Sequence, residues 1–340
     1  MSADLSPPLG SALLSLAAAA VLSAALVAAL YPLLLRYALA RPNARSSHRR
    51  PTPQGGGVAV IAAATVVIAG ISFAGGLSGP LPLAVVFASA IALALVGAID
   101  DVRPIEALPR LLLQSAAVLT VLWTLPATAQ VLPFLPWWIE RALMFVAILW
   151  FVNVVNFMDG IDWITVAEVV PVAAGLALVG FAGALPHDAT LVAVVLCGAM
   201  IGFAPFNRPV ARVFLGDVGS LPIGLLLGWL LLLLASGGHL AAALLLPLYY
   251  LADATITLLR RLVMGEPVMQ AHRRHYYQQA FDRGMSVGKI VGHVFVLNVM
   301  LVALAATTLL TPSRLLHAAA LAAGCVLVGV VLYRFATARP

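Results

Sequence analysis

The sequence predicts an all-α, polytopic integral membrane protein of about eleven transmembrane helices with its active site at the cytoplasmic face. Three observations predict it. Of 340 residues, 63% are hydrophobic and only 9% charged, against about 25% charged in a soluble domain, so the apolar surface exceeds what one globular core can hide. Apolar runs of about 20 residues, enough to cross roughly 30 Å of hydrocarbon, recur along the whole chain. The basic residues fall almost entirely on one side of those runs.

The spans are expected near 12–35, 55–75, 80–99, 111–130, 138–157, 163–184, 189–206, 219–236, 239–259, 287–310 and 315–335. The first is expected to be a span rather than a signal peptide, since Asp4 and no Lys or Arg precede it and its apolar run exceeds an h-region. No stretch between spans is long enough for a soluble domain, and no repeat recurs at a fixed period, so residues 1–340 read as a single transmembrane domain. Cys197 and Cys325 are the only cysteines and lie inside apolar runs, which makes them packing residues and excludes a disulfide scaffold.

With the N-terminus outside and the C-terminus cytoplasmic, the 19 basic residues sort by loop. Arg36, Arg41, Arg45, Arg49 and Arg50 follow the first span, Arg103 and Arg110 the third, and Arg208 and Arg212 the seventh. Arg260, Arg261, Arg273, Arg274, Arg283 and Lys289 follow the ninth, Arg334 and Arg339 end the chain, and only Arg141 and Arg314 are left outside. This is the excess that the positive-inside rule demands. The formal charge of +6 is therefore topological; the expected partners include membrane lipids and exclude nucleic acid.

The acidic residues carry the chemistry. Asp100, Asp101, Asp159, Asp162 and Asp217 all fall at the inner ends of spans three, five and seven or in the loops that follow. A carboxylate on a membrane helix needs water, a cation or a basic partner. Any one of the five fits a helix cap or an Arg partner; five on one membrane face point to a cation. An oxygen-only set with few His and no usable Cys favours a hard ion such as Mg²⁺, with Mn²⁺ as substitute. Asp253 shares a helix face with Arg260 at i, i+7 and is expected to pair with it or to support the site.

Groups suited to an anionic substrate surround these acids. Arg49 and Arg50 precede Pro51-Thr52-Pro53-Gln54-Gly55-Gly56-Gly57, and the N–H groups of Gly55 and Gly56 at a helix start are candidates to cradle phosphate. His272, Arg273, Arg274 and His275 place two imidazoles and two guanidiniums within four residues. Together they describe a polyanion site at the cytoplasmic surface.

Five segments in order carry a resemblance: PTPQGGG (51–57), GAIDDVRP around Asp100-Asp101, NVVNFMDGID (153–162), NRPVARVFLGDVG (207–219) and HRRH (272–275). They resemble the polyprenyl-phosphate N-acetylhexosamine-1-phosphate transferases. That family includes the enzymes that initiate O-antigen and enterobacterial common antigen synthesis and the phospho-MurNAc-pentapeptide translocase. The resemblance runs from Arg49 to Gln279, about two-thirds of the chain. It implies Mg²⁺-dependent transfer of a sugar 1-phosphate from a UDP-N-acetylhexosamine to undecaprenyl phosphate, releasing UMP, the chemistry of a phosphotransferase for substituted phosphate groups in lipopolysaccharide biosynthesis. By match to the motifs, Asp217 is the metal ligand with Asp159 beside it, and Asp100 and Asp101 are the catalytic pair, with Asp159 also in a catalytic role. Asn156, Asp159 and Asp162 line the nucleotide and metal region. Asn207 lies on the nucleotide side, and His272 and His275 near the diphosphate and sugar. A homodimer is the expected assembly. Trp163 departs from the family pattern, which often has Gly there.

The competing class is an ion-coupled secondary transporter, whose charges belong near the midplane between repeated halves. Here the acids cluster at one interface.

Overall fold

The computed structural model describes residues 7–40, 51–267 and 272–338. Arg50, and with it Arg41, Arg45, Arg49 and Arg339, lies outside the described residues. The chain is all-α and polytopic. In order the helices are α1 (Leu9–Tyr37), α2 (Gly57–Phe73), α3 (Pro80–Val102), α4 (Ala107–Trp123), α5 (Trp137–Met158), α6 (Ile164–Phe181), α7 (His187–Asn207) and α8 (Asp217–Leu234). There follow α9 (Leu240–Leu245), α10 (Leu248–Val263), α11 (Tyr276–Asp282), α12 (Val287–Thr307) and α13 (Arg314–Ala336). A two-residue antiparallel pair, β1 (Leu39–Ala40) with β2 (Thr52–Pro53), is the one sheet among the described residues.

Among the described residues, eight helical stretches are long and apolar enough to cross a membrane, with Asp217–Leu245 counted as one. Two expected spans, near 55–75 and 111–130, are apolar helices of only 17 residues each, α2 and α4. The ninth expected span, 239–259, is not one helix. A π-helical turn (Ala235–His239) joins α8 to α9, and Gly238 within it takes φ +90°, a conformation open to glycine. Pro247 then separates α9 from α10. Gly238 and Pro247 thus cut the apolar run into a short buried helix and an amphipathic one that carries Asp253, Arg260 and Arg261.

Burial ranks the helices. The stretch Asp217–Leu245 is 94% buried over its apolar window and α1 only 17%, so the former is the hub and the latter faces lipid with Leu13, Leu14 and Val21 exposed. Without a hydrophobic drive between helices in a bilayer, close approach depends on small residues. Gly198 and Gly202 on α7 have no room for a Cβ against the backbone of Leu16 and Ala20 on α1. Gly57 of α2 abuts Gly219 of α8, and Gly97 of α3 abuts the Asp217 backbone. The last two contacts draw α2 and α3 onto the N-terminus of α8. At the far ends of these helices, Asp188 at the start of α7 accepts hydrogen bonds from the N–H groups of Ser78 (2.9 Å) and Gly79 (2.7 Å), tying down the turn that leads into α3.

Candidate active site

Three chain ends meet where α3 finishes, α5 finishes and α8 begins. The α3–α4 turn is tight, so Asp100 Oδ1 accepts from the Ile105 N–H at 2.6 Å while Oδ2 lies 2.8 Å from Arg110 Nη1. The same Nη1 is 3.9 Å from Asp217 Oδ2. Asn156 on α5 donates to Asp217 Oδ1 at 2.8 Å and to Ser220 Oγ at 3.0 Å. Asp100 Oδ2 and Asp217 Oδ2 both lie within 3.9 Å of Arg110 Nη1. Two carboxylates thus share one guanidinium.

Asp101 is committed differently. Its Oδ1 accepts from the Asp217 N–H at 2.9 Å and from Gln54 Nε2, and its Oδ2 accepts from the Val218 N–H at 3.2 Å. It is an acidic cap, supplied by α3, on the N-terminus of α8, where the helix dipole favours negative charge. Gly216 permits this: its φ is +78°, and a Cβ there would lie 2.5 Å from Asp101 Oδ2.

Asp159 follows the end of α5, and its Oδ1 accepts from Thr165 Oγ1, which accepts in turn from Tyr250 OH at 3.3 Å. Burial pushes this carboxyl up to about 7, and the neighbouring charges of Asp101 and Asp162 add to the rise. Asp162 Oδ2 accepts from the Ala211 N–H at 3.0 Å and so ties the NFMDGID loop to the loop before α8.

Three expectations from the sequence are corrected, and a fourth is narrowed. The N–H groups of Gly55 and Gly56 both donate to the Phe214 carbonyl, at 3.2 and 2.9 Å, and that of Gly57 donates to Leu215 O at 2.9 Å. They are spent on holding the FLGD loop and do not cradle a phosphate. Asn207 is buried, accepting from the Trp163 N–H at 2.8 Å and donating to Val213 O at 2.9 Å. It pins Trp163 at φ +65° rather than facing a ligand. Of the two roles expected of Asp253, pairing with Arg260 is not seen among the described residues, and its contacts are those of a support. Fully buried, it accepts from the N–H groups of Tyr276 (3.0 Å) and Tyr277 (3.4 Å), from Tyr249 OH and Thr257 Oγ1, and lies 3.3 Å from His275 Nδ1. His275 is consequently part of this knot at 3% exposure, stacked against Tyr277, and is not free to reach a sugar.

The rest of HRRH stays at the surface. His272 packs against His275 with ring centroids 4.9 Å apart, and burial, aided by the neighbouring His275, Arg261 and Arg274, pushes its pKa down to about 4. It is a neutral imidazole at physiological pH. Arg273 pairs with Asp282 at 2.7 Å. Arg274 and Arg261 both bind Glu266, and a cavity of about 240 Å³ beside them is lined by Thr257, Arg260, Arg261, Met264, Arg274 and Gln279. Tyr277 OH donates to Phe157 O at 3.3 Å and blocks any Cβ at Gly160, so α11 sits on the NFMDGID loop. The histidine segment and the aspartates are therefore neighbours.

Among the described residues, no three His, Cys, Asp or Glu side chains form a ready metal cage. The donors nevertheless suit an ion that keeps its waters. Among the described residues, Asp217 Oδ2 and the second oxygen of Asp159 have no backbone N–H donor, and the cluster of carboxylates carries more negative charge than Arg110 offsets. One or two carboxylates plus substrate phosphates is the usual Mg²⁺ environment.

Residues 83–235 match the family model of glycosyl transferase family 4. A probable undecaprenyl-phosphate N-acetylglucosaminyl 1-phosphate transferase of Bacillus subtilis (strain 168) is 26% identical over 266 residues, covering 73% of this chain and 71% of its own. Both matches support the polyprenyl-phosphate sugar-1-phosphate transferase family. The segment matched to glycosyl transferase family 4 runs from α3 through α8 and holds every aspartate of the cluster; HRRH lies beyond it. Arg110 was legible in the sequence only as one more cytoplasmic charge. Nothing in its spacing from Asp100 reveals that a tight turn brings the two together.

Proposed function

We propose that this transferase moves an N-acetylhexosamine 1-phosphate from a UDP-sugar to undecaprenyl phosphate and releases UMP, at the cytoplasmic face of a bacterial inner membrane, as the first membrane step of a surface polysaccharide. The observation that carries the reading is the Asp100–Arg110–Asp217 cluster, set where three helix ends meet beside the α11 segment. Two phosphate-bearing reactants repel, so the work of such a site is neutralisation and alignment more than covalent chemistry. The lipid phosphate oxygen attacks the β-phosphorus, the bond from that phosphorus to the UMP oxygen breaks, and UMP leaves with the electron pair.

In this reading Arg110 holds phosphate charge and keeps Asp100 in place. Asn156 fixes the rotamer of Asp217, and Asp101 fixes the helix end on which Asp217 stands. Asp217 and Asp159 would hold a Mg²⁺ ion, which would offset the charge of the diphosphate. Arg273, Arg274 and His272 offer donors to the UDP-sugar from the α11 side, while His275 positions them. Asp162 and Asn207 keep the two neighbouring loops in register. The acids gather at helix ends and not at a midplane, which favours a transferase over an ion-coupled carrier.

The test is incubation of purified protein with undecaprenyl phosphate, Mg²⁺ and a panel of UDP-sugars, scoring UMP. Release with a UDP-N-acetylhexosamine, lost in Asp217→Asn without loss of folded protein, is the expected result. UMP release with no member of the panel contradicts the reading.

A further inference from the structure

Gln114 on α4 is 1% exposed, and its neighbours fix which way its amide points. The Leu149 carbonyl can only accept, so the Asn153 atom 2.8 Å from it is Nδ2. That Nδ2 also donates to Gln114 at 2.8 Å, so the Gln114 atom there is Oε1. The remaining end, Nε2, is a buried donor without a hydrogen-bond partner among the described residues. Away from water such a donor is costly unless something supplies an acceptor.

Its position says what that acceptor is. Gln114 lies four residues after Arg110 on α4, hence on the same face, and Asn153 lies three residues before Asn156 on α5. Because α4 runs away from the aspartate cluster and α5 runs towards it, the Gln114–Asn153 pair sits about one helical turn, roughly 5.4 Å, deeper in the membrane than Arg110, Asn156 and Asp217. A UDP-sugar is water-soluble and reaches the cluster from the loops. A polyprenyl phosphate arrives through the bilayer, with its phosphate at the carboxylates and its chain below them. A donor beneath the cluster therefore meets the lipid.

We propose that Gln114 Nε2 donates a hydrogen bond to a phosphate oxygen of the polyprenyl acceptor, making Gln114 an acceptor-binding residue. The assignment rests on the transferase reading above. Gln114→Met keeps length and apolar bulk and removes the donor. Losing a hydrogen bond to a charged phosphate should raise the KM for undecaprenyl phosphate about tenfold or more, with the KM for UDP-N-acetylglucosamine held within about twofold. Equal changes in both KM values, or a lower melting temperature with neither KM changed, as expected if the donor merely holds a water, would overturn the proposal. Should Gln114→Met fail to fold, Gln114→Glu keeps the shape and replaces the donor with a second acceptor; a wild-type KM for the lipid in that variant overturns it equally. If the wild type releases no UMP, the transferase reading has failed on its own account. Undecaprenyl phosphate added to detergent-solubilised wild type and variant then decides the matter by thermal shift: a shift in the wild type that is absent from Gln114→Met upholds the donor, and equal shifts refute it.

Discussion

Replacing Arg110 with Met tests whether one guanidinium organises the site. Arg110 Nη1 is 2.8 Å from Asp100 Oδ2 and 3.9 Å from Asp217 Oδ2. A charge-assisted hydrogen bond contributes about 1.5–3 kcal/mol, and stranding a buried carboxylate adds to the loss. The side chain of Arg110 is 24% exposed and that of Asp217 28%, so water screens part of this. A net loss of about 2–3 kcal/mol in transition-state stabilisation is therefore expected, which is about 30- to 150-fold in kcat/KM. Arg110→Lys keeps the charge but not the planar fork and should fall between wild type and Met. Steady-state UMP release from detergent-purified protein measures both. Wild-type kcat/KM in Arg110→Met would refute the assignment.

Three further outcomes are expected. Gly97→Val puts branched carbons against the Asp217 carbonyl, so α3 and α8 must separate; overpacking costs about 1–3 kcal/mol, seen as a lower melting temperature together with lost turnover. Asp253→Leu strands the N–H groups of Tyr276 and Tyr277 at about 1–3 kcal/mol and should speed their hydrogen exchange while raising the KM for the UDP-sugar. Burial pushes the Asp159 carboxyl up to about 7 from an ordinary 3.8. The folded state then binds more protons than the unfolded one, so the stabilising contribution is full below that ordinary value and is lost as pH rises through about 7. In EDTA, wild type should lose thermal stability relative to Asp159→Asn between about pH 4 and 7, and Mg²⁺ should restore it; parallel melting profiles would contradict this.

The fold class was legible because hydrophobic length and charge asymmetry are properties of single segments. The break in the ninth span was harder to read, since Gly238 and Pro247 interrupt a run whose average hydropathy stays high. The aspartate cluster was visible as residue types near span ends, yet the division of labour within it was not. Asp101 turns its oxygens to backbone N–H groups of α8, while its sequence neighbour Asp100 turns to Arg110, because adjacent residues on α3 point about 100° apart. Gly55 and Gly56 looked like a phosphate cradle because the same feature, backbone N–H groups unhindered by side chains, also suits them to bind a neighbouring loop. Asn207, His275 and Asp253 became supports through contacts between segments far apart in sequence, which no spacing rule exposes.

The central claim is that the phosphate next to the sugar travels with it. A UDP-N-acetylhexosamine labelled at the β-phosphate, incubated with the protein, Mg²⁺ and undecaprenyl phosphate, should deliver its label to the lipid fraction in step with UMP release. Label retained in UDP while sugar enters the lipid, or absent from the lipid altogether, would contradict the account.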